Sequence, residues 1–280
     1  MSLIPACLLI SHGSRDRRPQ LAMEQLAGLV RAKLGSQHAQ EILTLGTRAL
    51  SSQHERILQR LEVDRVARRT MVVTNDGYPL VGTATLELAS LPLHEQIRQF
   101  AREALSVGCH QVQLLPVFLL PGVHVMDDIP TEVALAHQSL GQAVVLNQRP
   151  YLGVHPGLVR ILASQVATLD ADANILLSHG SRRSGSYEAV EAVADQLGAV
   201  VAYWSVKPTL EEQLKVLADA GHKRIAIVPY FLFSGGITNA IAQRVASLQK
   251  LFPRLQLTLA QPIGVSHELA DLIVDLIEKK

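Results

Sequence analysis

The stretch LLISHGSR, Leu8–Arg15, returns later in the same chain as ILLSHGSR, Ile175–Arg182. A repeat of this kind decides the fold, because one supersecondary unit must then be packed twice. Three further pairs follow in the same order. LHEQI (Leu93–Ile97) is matched by LEEQL (Leu210–Leu214), LLPVFLLPG (Leu114–Gly122) by IVPYFLFSG (Ile227–Gly235), and PYLGV (Pro150–Val154) by PIGV (Pro262–Val265). The offset between the copies falls along the chain. His12 and His179 stand 167 positions apart, Leu93 and Leu210 117, Pro116 and Pro229 113, and Gly153 and Gly264 111. The first copy therefore carries about 50 extra residues between its first two motifs. The spacing places that insertion at about 36–82, within a first lobe spanning 1–156. A second lobe spans 157–280, with the joint near Gly157–Asp172.

Each copy reads as α/β. Ala6–Ser11 is a continuous apolar run ending in a Ser-His-Gly turn, the pattern of a buried parallel strand. Arg17–Leu34 has helical periodicity in Leu21, Ala22, Leu26, Leu29, Val30 and Leu34. Strand-like Thr83–Ala89, helix Leu93–Val107, strand Gln111–Leu119, helix Pro130–Leu140 and strand Ala143–Leu146 follow. The second copy repeats the alternation, with strands at 174–178, 200–206, 224–233 and 255–260 and helices at 187–197, 209–220 and 238–250. Alternating strands and helices predict parallel sheets flanked by helices, in two similar lobes with a cleft between them. Inside the insertion, Glu41–Leu45 and Thr70–Val73 read as strands and Ser51–Arg69 as a helix. Asn75-Asp76-Gly77 reads as a turn, and Arg65, Arg68 and Arg69 as a solvated helix end.

Composition removes several function classes. The 280 residues carry 26 Lys+Arg against 25 Asp+Glu, a net charge of +1, which argues against capture of nucleic acid or an anionic membrane by bulk charge. The apolar run Leu3–Ile10 is too short to span a bilayer and has no basic segment before it, so a cytoplasmic protein is expected. Cys7 and Cys109 form no Cys-x-x-Cys pair, which excludes a four-thiolate zinc site and a self-contained iron–sulfur cluster, and two cysteines argue against a disulfide scaffold. There is no phosphate-binding GxxxxGK[ST] loop and no GxSxG elbow.

Chemistry is expected where parallel strands end, because open α/β sheets bind ligands beyond their carboxyl ends. His12 follows the first strand directly, and His124 follows strand 111–119 across Leu120-Pro121-Gly122. Glu87 lies within an apolar run, where a carboxylate is costly unless it is paired or holds a cation. Two imidazoles and a carboxylate make a partial shell for a borderline divalent metal. Each residue also has a plain reading, as a turn histidine bonded to backbone or a glutamate on a wet strand edge. The second copy supplies a contrast: His179 matches His12, but Trp204 falls at Glu87 and Ile237 at His124. Ser14 and Arg15 stand before a helix N-terminus, where they either bind an anion or simply cap the helix. Ser181 and Arg182 offer the same pair in the second copy, and Asp127-Asp128 either attracts a cation or, the commoner use, caps the helix beginning near Pro130.

The segments SHGSR, TLELA (Thr85–Ala89) and VFLLPGVHVMDDIP (Val117–Pro130) together resemble the class II chelatases of the sirohydrochlorin cobaltochelatase and ferrochelatase family, in its long two-copy form. The resemblance covers the chain apart from the insertion. It implies a lyase that inserts Fe2+ or Co2+ into sirohydrochlorin, on the route to siroheme or cobalamin. The metal would be a substrate, with no permanently bound cofactor and no nucleic-acid or membrane partner. The family's metal-site residues carry over to His12 and His124, and its acidic partner to Glu87. Leu120, Pro121, Gly122 and Val123 are the expected apolar seat of the macrocycle, with Leu119 and Val125 beside them, and Ser14 and Arg15 the donors to its carboxylates. A metal or tetrapyrrole carrier using the same cleft is the competing reading.

Overall fold

The computed structural model describes residues 6–48, 79–180 and 186–279. In the first sheet, β1 (Ala6–Ser11) lies between β2 (Val81–Thr85) and β3 (Gln111–Pro116), with β4 (Val145–Gln148) outside β3. In the second, β5 (Ala173–Ser178) lies between β6 (Ala199–Tyr203) and β7 (Arg224–Pro229), with β8 (Gln256–Leu259) outside β7. All six pairings are parallel. The repeat in sequence is therefore a repeat of topology.

Helices α1 (Arg17–Arg48), α2 (Leu93–Ser106), α3 (Ile129–Leu140) and α4 (Gly157–Ala167) belong to the first copy. Helices α5 (Ser186–Leu197), α6 (Leu210–Asp219), α7 (Gly236–Leu251) and α8 (His267–Glu278) belong to the second. Side chains alternate across each strand, so each sheet feeds two cores. Ala6, Leu8 and Ile10 pack with Leu93, Ile97 and Ala101 of α2 and Ile129 of α3. Ile175 and Leu177 do the same with Leu214 of α6 and Ile241 of α7. The opposite faces meet in a third core, where Cys7, Leu9 and Leu115 of one sheet join Leu176 and Val228 of the other. Met23, Leu26 and Val30 of α1, Leu158 and Leu162 of α4, and Leu269, Ile273 and Ile277 of α8 fill it. The lobes thus share one apolar interior.

The last helix of each copy crosses over. α4 follows the PYLGV segment of the first copy yet packs against α5, while α8 follows PIGV yet packs against α1 and β3. Arg149 Nε donates to the Leu276 carbonyl at 2.9 Å, and Lys33 pairs with Asp271, fastening α8 to the first lobe. The sequence reading has only a joint at Gly157–Asp172. The Pro156-Gly157 punctuation hides a helix there that the shared core requires.

Other expectations need correction. Glu41–Leu45 is not a strand, because α1 continues through it to Arg48. Short apolar runs fit either state, and no proline breaks the helix before that point. β3 and β7 stop at Pro116 and Pro229 rather than at Leu119 and Phe233. The apolar residues beyond them line a cavity instead of extending a ladder. Ser51–Arg69, Thr70–Val73 and Asn75-Asp76-Gly77 lie outside the described residues, as do Ser181 and Arg182. Among the described residues no helix is long and apolar enough to cross a membrane.

His155, 4% exposed, sits at this junction. Its Nδ1 accepts the Gly157 N–H at 3.0 Å, so its proton is on Nε2, 3.5 Å from Asp275 Oδ2. Burial holds its pKa below the ordinary 6.5, with Lys279 acting in the same direction. The unfolded chain therefore binds the proton more readily than the folded one. The stability this neutral histidine contributes is complete above pH 6.5 and is lost as pH falls through the folded-state value. Urea midpoints of the parent are expected to fall more steeply than those of His155→Asn between about pH 7 and 5. Parallel curves would contradict this.

Candidate metal centre

Because β1 pairs with both β2 and β3 in parallel, the chain leaves all three strands at one edge of the sheet. His12 is the first residue beyond β1. The ladder to β2 runs on past the strands: Leu86 N–H donates to the Ser11 carbonyl at 2.8 Å and Glu87 N–H to the His12 carbonyl at 2.9 Å. Glu87 is thus beyond the end of β2, not inside a strand as its apolar neighbours suggest. Gly13, at φ +100°, makes the close approach feasible, since a Cβ there would stand 2.1 Å from the Glu87 carbonyl oxygen. Leu88, a non-glycine residue at φ +61°, then turns the chain away. Such strain persists only where the surroundings enforce it.

His124 arrives from the other side. Beyond β3 the chain turns at Leu120–Gly122 and winds into a single π-type turn, His124–Asp128, that leads into α3. This turn brings the His124 Nδ1 to 2.7 Å from Asp128 Oδ2. An ionised carboxylate accepts the Nδ1 proton, leaving the Nε2 lone pair free for a metal. The His12 and His124 rings meet edge to face, centroids 4.6 Å apart. His12 Nδ1 lies 4.0 Å from Glu87 Oε2. One ligand atom from each of His12, Glu87 and His124 falls within 4.8 Å of the others, and among the described residues no other cluster of histidine, cysteine and acidic groups does so. The side chains of His12 and Glu87 are each 49% exposed, which leaves coordination positions open to a second reactant.

The cluster opens into a cavity of about 1010 Å³ lined by both lobes. Leu119, Leu120, Gly122 and Val123 line it, with Leu88 beside Glu87, whereas Pro121 is outside the lining and Val125 is buried in the fold. Ser14 also lines it, but its hydroxyl accepts the Asp16 N–H at 3.1 Å. Arg15 is exposed and outside the lining. The arginine engaged here is Arg18, which holds the Asp16 carboxyl down at about 2 and reaches Asn239 of the second lobe at 3.1 Å.

The structure revises two readings. Asp128 does not cap α3; its carboxylate orients His124 instead. The four-residue spacing on one helical face was the available signal, masked by the familiar Asp-x-Pro capping pattern. In the second copy, Trp204 N–H bonds the Ser178 carbonyl and Ser205 N–H the His179 carbonyl, so Ser205, not Trp204, stands where Glu87 does. Ile237 opens α7 and lines the cavity, as its match to His124 implies.

The chain was compared with known proteins. The CbiX family model matches residues 51–169 and again 173–280. A sirohydrochlorin ferrochelatase of Priestia megaterium is 26% identical over 212 residues, 71% of this chain and 77% of that protein. A sirohydrochlorin cobaltochelatase of the same organism is 22% identical over 232 residues, 77% and 74% respectively. Among solved structures, SirB from Bacillus subtilis with Fe3+ superposes with a TM-score of 0.65 at 20% identity, covering 99% of this chain and 94% of that one. A CbiX described as the terminal enzyme for siroheme biosynthesis in denitrifying bacteria gives 0.56 at 18% identity, covering 98% of each chain. These structures share the fold.

A histidine ligand oriented by a carboxylate loses affinity when that carboxylate is removed. Asp128→Ala is expected to weaken Co2+ binding about 10–100-fold, read by titration of the cobalt absorption bands. An unchanged dissociation constant would show that Asp128 does not orient a ligand.

Proposed function

The chain belongs to the CbiX family, and from that premise we propose that it is a sirohydrochlorin chelatase, a lyase that inserts Fe2+ or Co2+ into sirohydrochlorin. The observation that carries the proposal is the convergence of His12, Glu87 and His124 on one cavity. The sirohydrochlorin ferrochelatase and cobaltochelatase of P. megaterium support the choice of substrate and of metal.

The reaction needs an ion held loosely enough to give up. Two neutral imidazoles and one carboxylate bind ferrous or cobaltous ion without the grip of a thiolate cage. The open side of the cluster faces the cavity, where macrocycle nitrogens can take over the coordination. Leu120, Val123 and Leu88 offer apolar surface to the plate on the first lobe, and Ile237 on the second. No lysine or arginine is among the described lining residues, so the plate's carboxylates extend toward the rim. Ser14, on the cavity lining, and the exposed Arg15 next to it are the proposed donors. The buried free thiols Cys7 and Cys109 suit a reducing, cytoplasmic setting.

Metal-free sirohydrochlorin mixed with Fe2+ or Co2+ and the protein is expected to shift its visible bands faster than without protein, over many turnovers. His12→Ala and His124→Ala are each expected to slow this roughly 100-fold or more. Rates untouched by both substitutions would dismiss the site. A change that stops at one equivalent per chain would identify a carrier.

A further inference from the structure

We propose that His179, on the second lobe's wall of the cavity, is the base that removes the macrocycle's N–H protons; this rests on the metal-insertion reading above. Insertion displaces two protons, and the residues that hold the ion are poorly placed to take them. A neutral imidazole has one ring lone pair, and in a ligand the metal occupies it. The other nitrogen of His124 is committed to Asp128 at 2.7 Å. The Glu87 carboxylate supplies the third ligand atom of the same cluster.

The remaining candidates are few. Apart from His12, Glu87 and His124, the titratable groups among the described lining residues are His179 and Tyr230. Burial pushes the Tyr230 hydroxyl well above its ordinary range, so it keeps its own proton and does not serve as the base. His179 follows β5 as His12 follows β1, and its ring is exposed. Its Nδ1 lies 3.0 Å from the Gly180 carbonyl, which accepts the Nδ1 proton and leaves the Nε2 lone pair free. Its own copy cannot make it a metal ligand. Ser205 replaces the carboxylate, with its hydroxyl turned to the His179 carbonyl at 2.8 Å, and Ile237 replaces the second imidazole. An imidazole with an unshared ring lone pair on the cavity wall can accept a proton.

In the step, a pyrrole N–H bond breaks, its electron pair stays on the ring nitrogen that binds the ion, and the proton forms a bond to His179 Nε2. The imidazolium passes the proton to water at its exposed edge, and the second proton leaves by the same route. One divalent ion enters and two protons depart.

The test uses the full chain carrying His179→Ala. Three quantities are read: Co2+ affinity without tetrapyrrole, tetrapyrrole affinity, and the single-turnover insertion rate at saturation. The expected result is unchanged affinities, a rate lowered about 100-fold or more, and partial recovery with added imidazole. An unchanged saturating rate overturns the proposal, as does a defect confined to tetrapyrrole affinity. In either case the parent's activity leaves the chelatase reading standing. A parent that inserts no metal would overturn that reading and this one together.

Discussion

The parallel pairing of β1 with β2 on one side and β3 on the other is the constraint on which the site depends. Parallel strands release their chains at the same edge, so residues distant in sequence become neighbours without any contact of their own making. Ser11 is in register with Thr85 and Ile10 with Pro116. The next residues out are His12, then Glu87 on an extended ladder, then His124 across one turn. An antiparallel β2 would deliver Glu87 to the far end of the sheet. Gly13 then sets how near the exits come, because any side chain there would occupy the space of the Glu87 carbonyl.

The same frame is built twice, and among the described residues only the first copy brings two imidazoles and a carboxylate together. β5, β6 and β7 deliver His179, Ser205 and Ile237 to positions equivalent to His12, Glu87 and His124. Crossed helices α4 and α8 and the shared core around Leu9, Leu176 and Ile273 hold the two strand-end edges around one cavity. Duplication thus yields a cleft with unlike walls. One wall carries two imidazoles and a carboxylate, and the described part of the other is mainly apolar with a single imidazole.

Much of this was legible in the sequence, and the failures have physical causes. β1 and β5 are readable because a buried parallel strand is a plain apolar run, and the Ser-His-Gly that follows marks where it ends. Strand ends point to His12 and His124 as candidates, although β3 stops at Pro116 and His124 is reached only through the turn and the π-type turn that follow. Glu87 lies at the end of the ladder rather than inside a strand, because Leu88, at φ +61°, turns the backbone away, and the apolar Leu88 and Ala89 beyond it line the cavity. The equivalence of Ser205 and Glu87 is fixed by backbone hydrogen bonds, at an offset of 118, whereas Leu93 and Leu210 stand 117 apart. The first copy has one extra residue between Glu87 and its next helix, so counting back from that helix lands on Trp204. Asp128 was read as a cap because capping is the commoner use of an aspartate before Ile-Pro. The crossing of α4 and α8 leaves no local trace, for each helix packs on elements of the other copy.

The central claim is that His12, Glu87 and His124 form one ligand set. X-ray absorption of the Co2+-loaded protein tests it most directly. The account predicts a shell containing two imidazoles and a carboxylate oxygen, with one imidazole lost in His124→Ala and one in His12→Ala. A shell of water oxygens alone, or one unchanged by both substitutions, would contradict it.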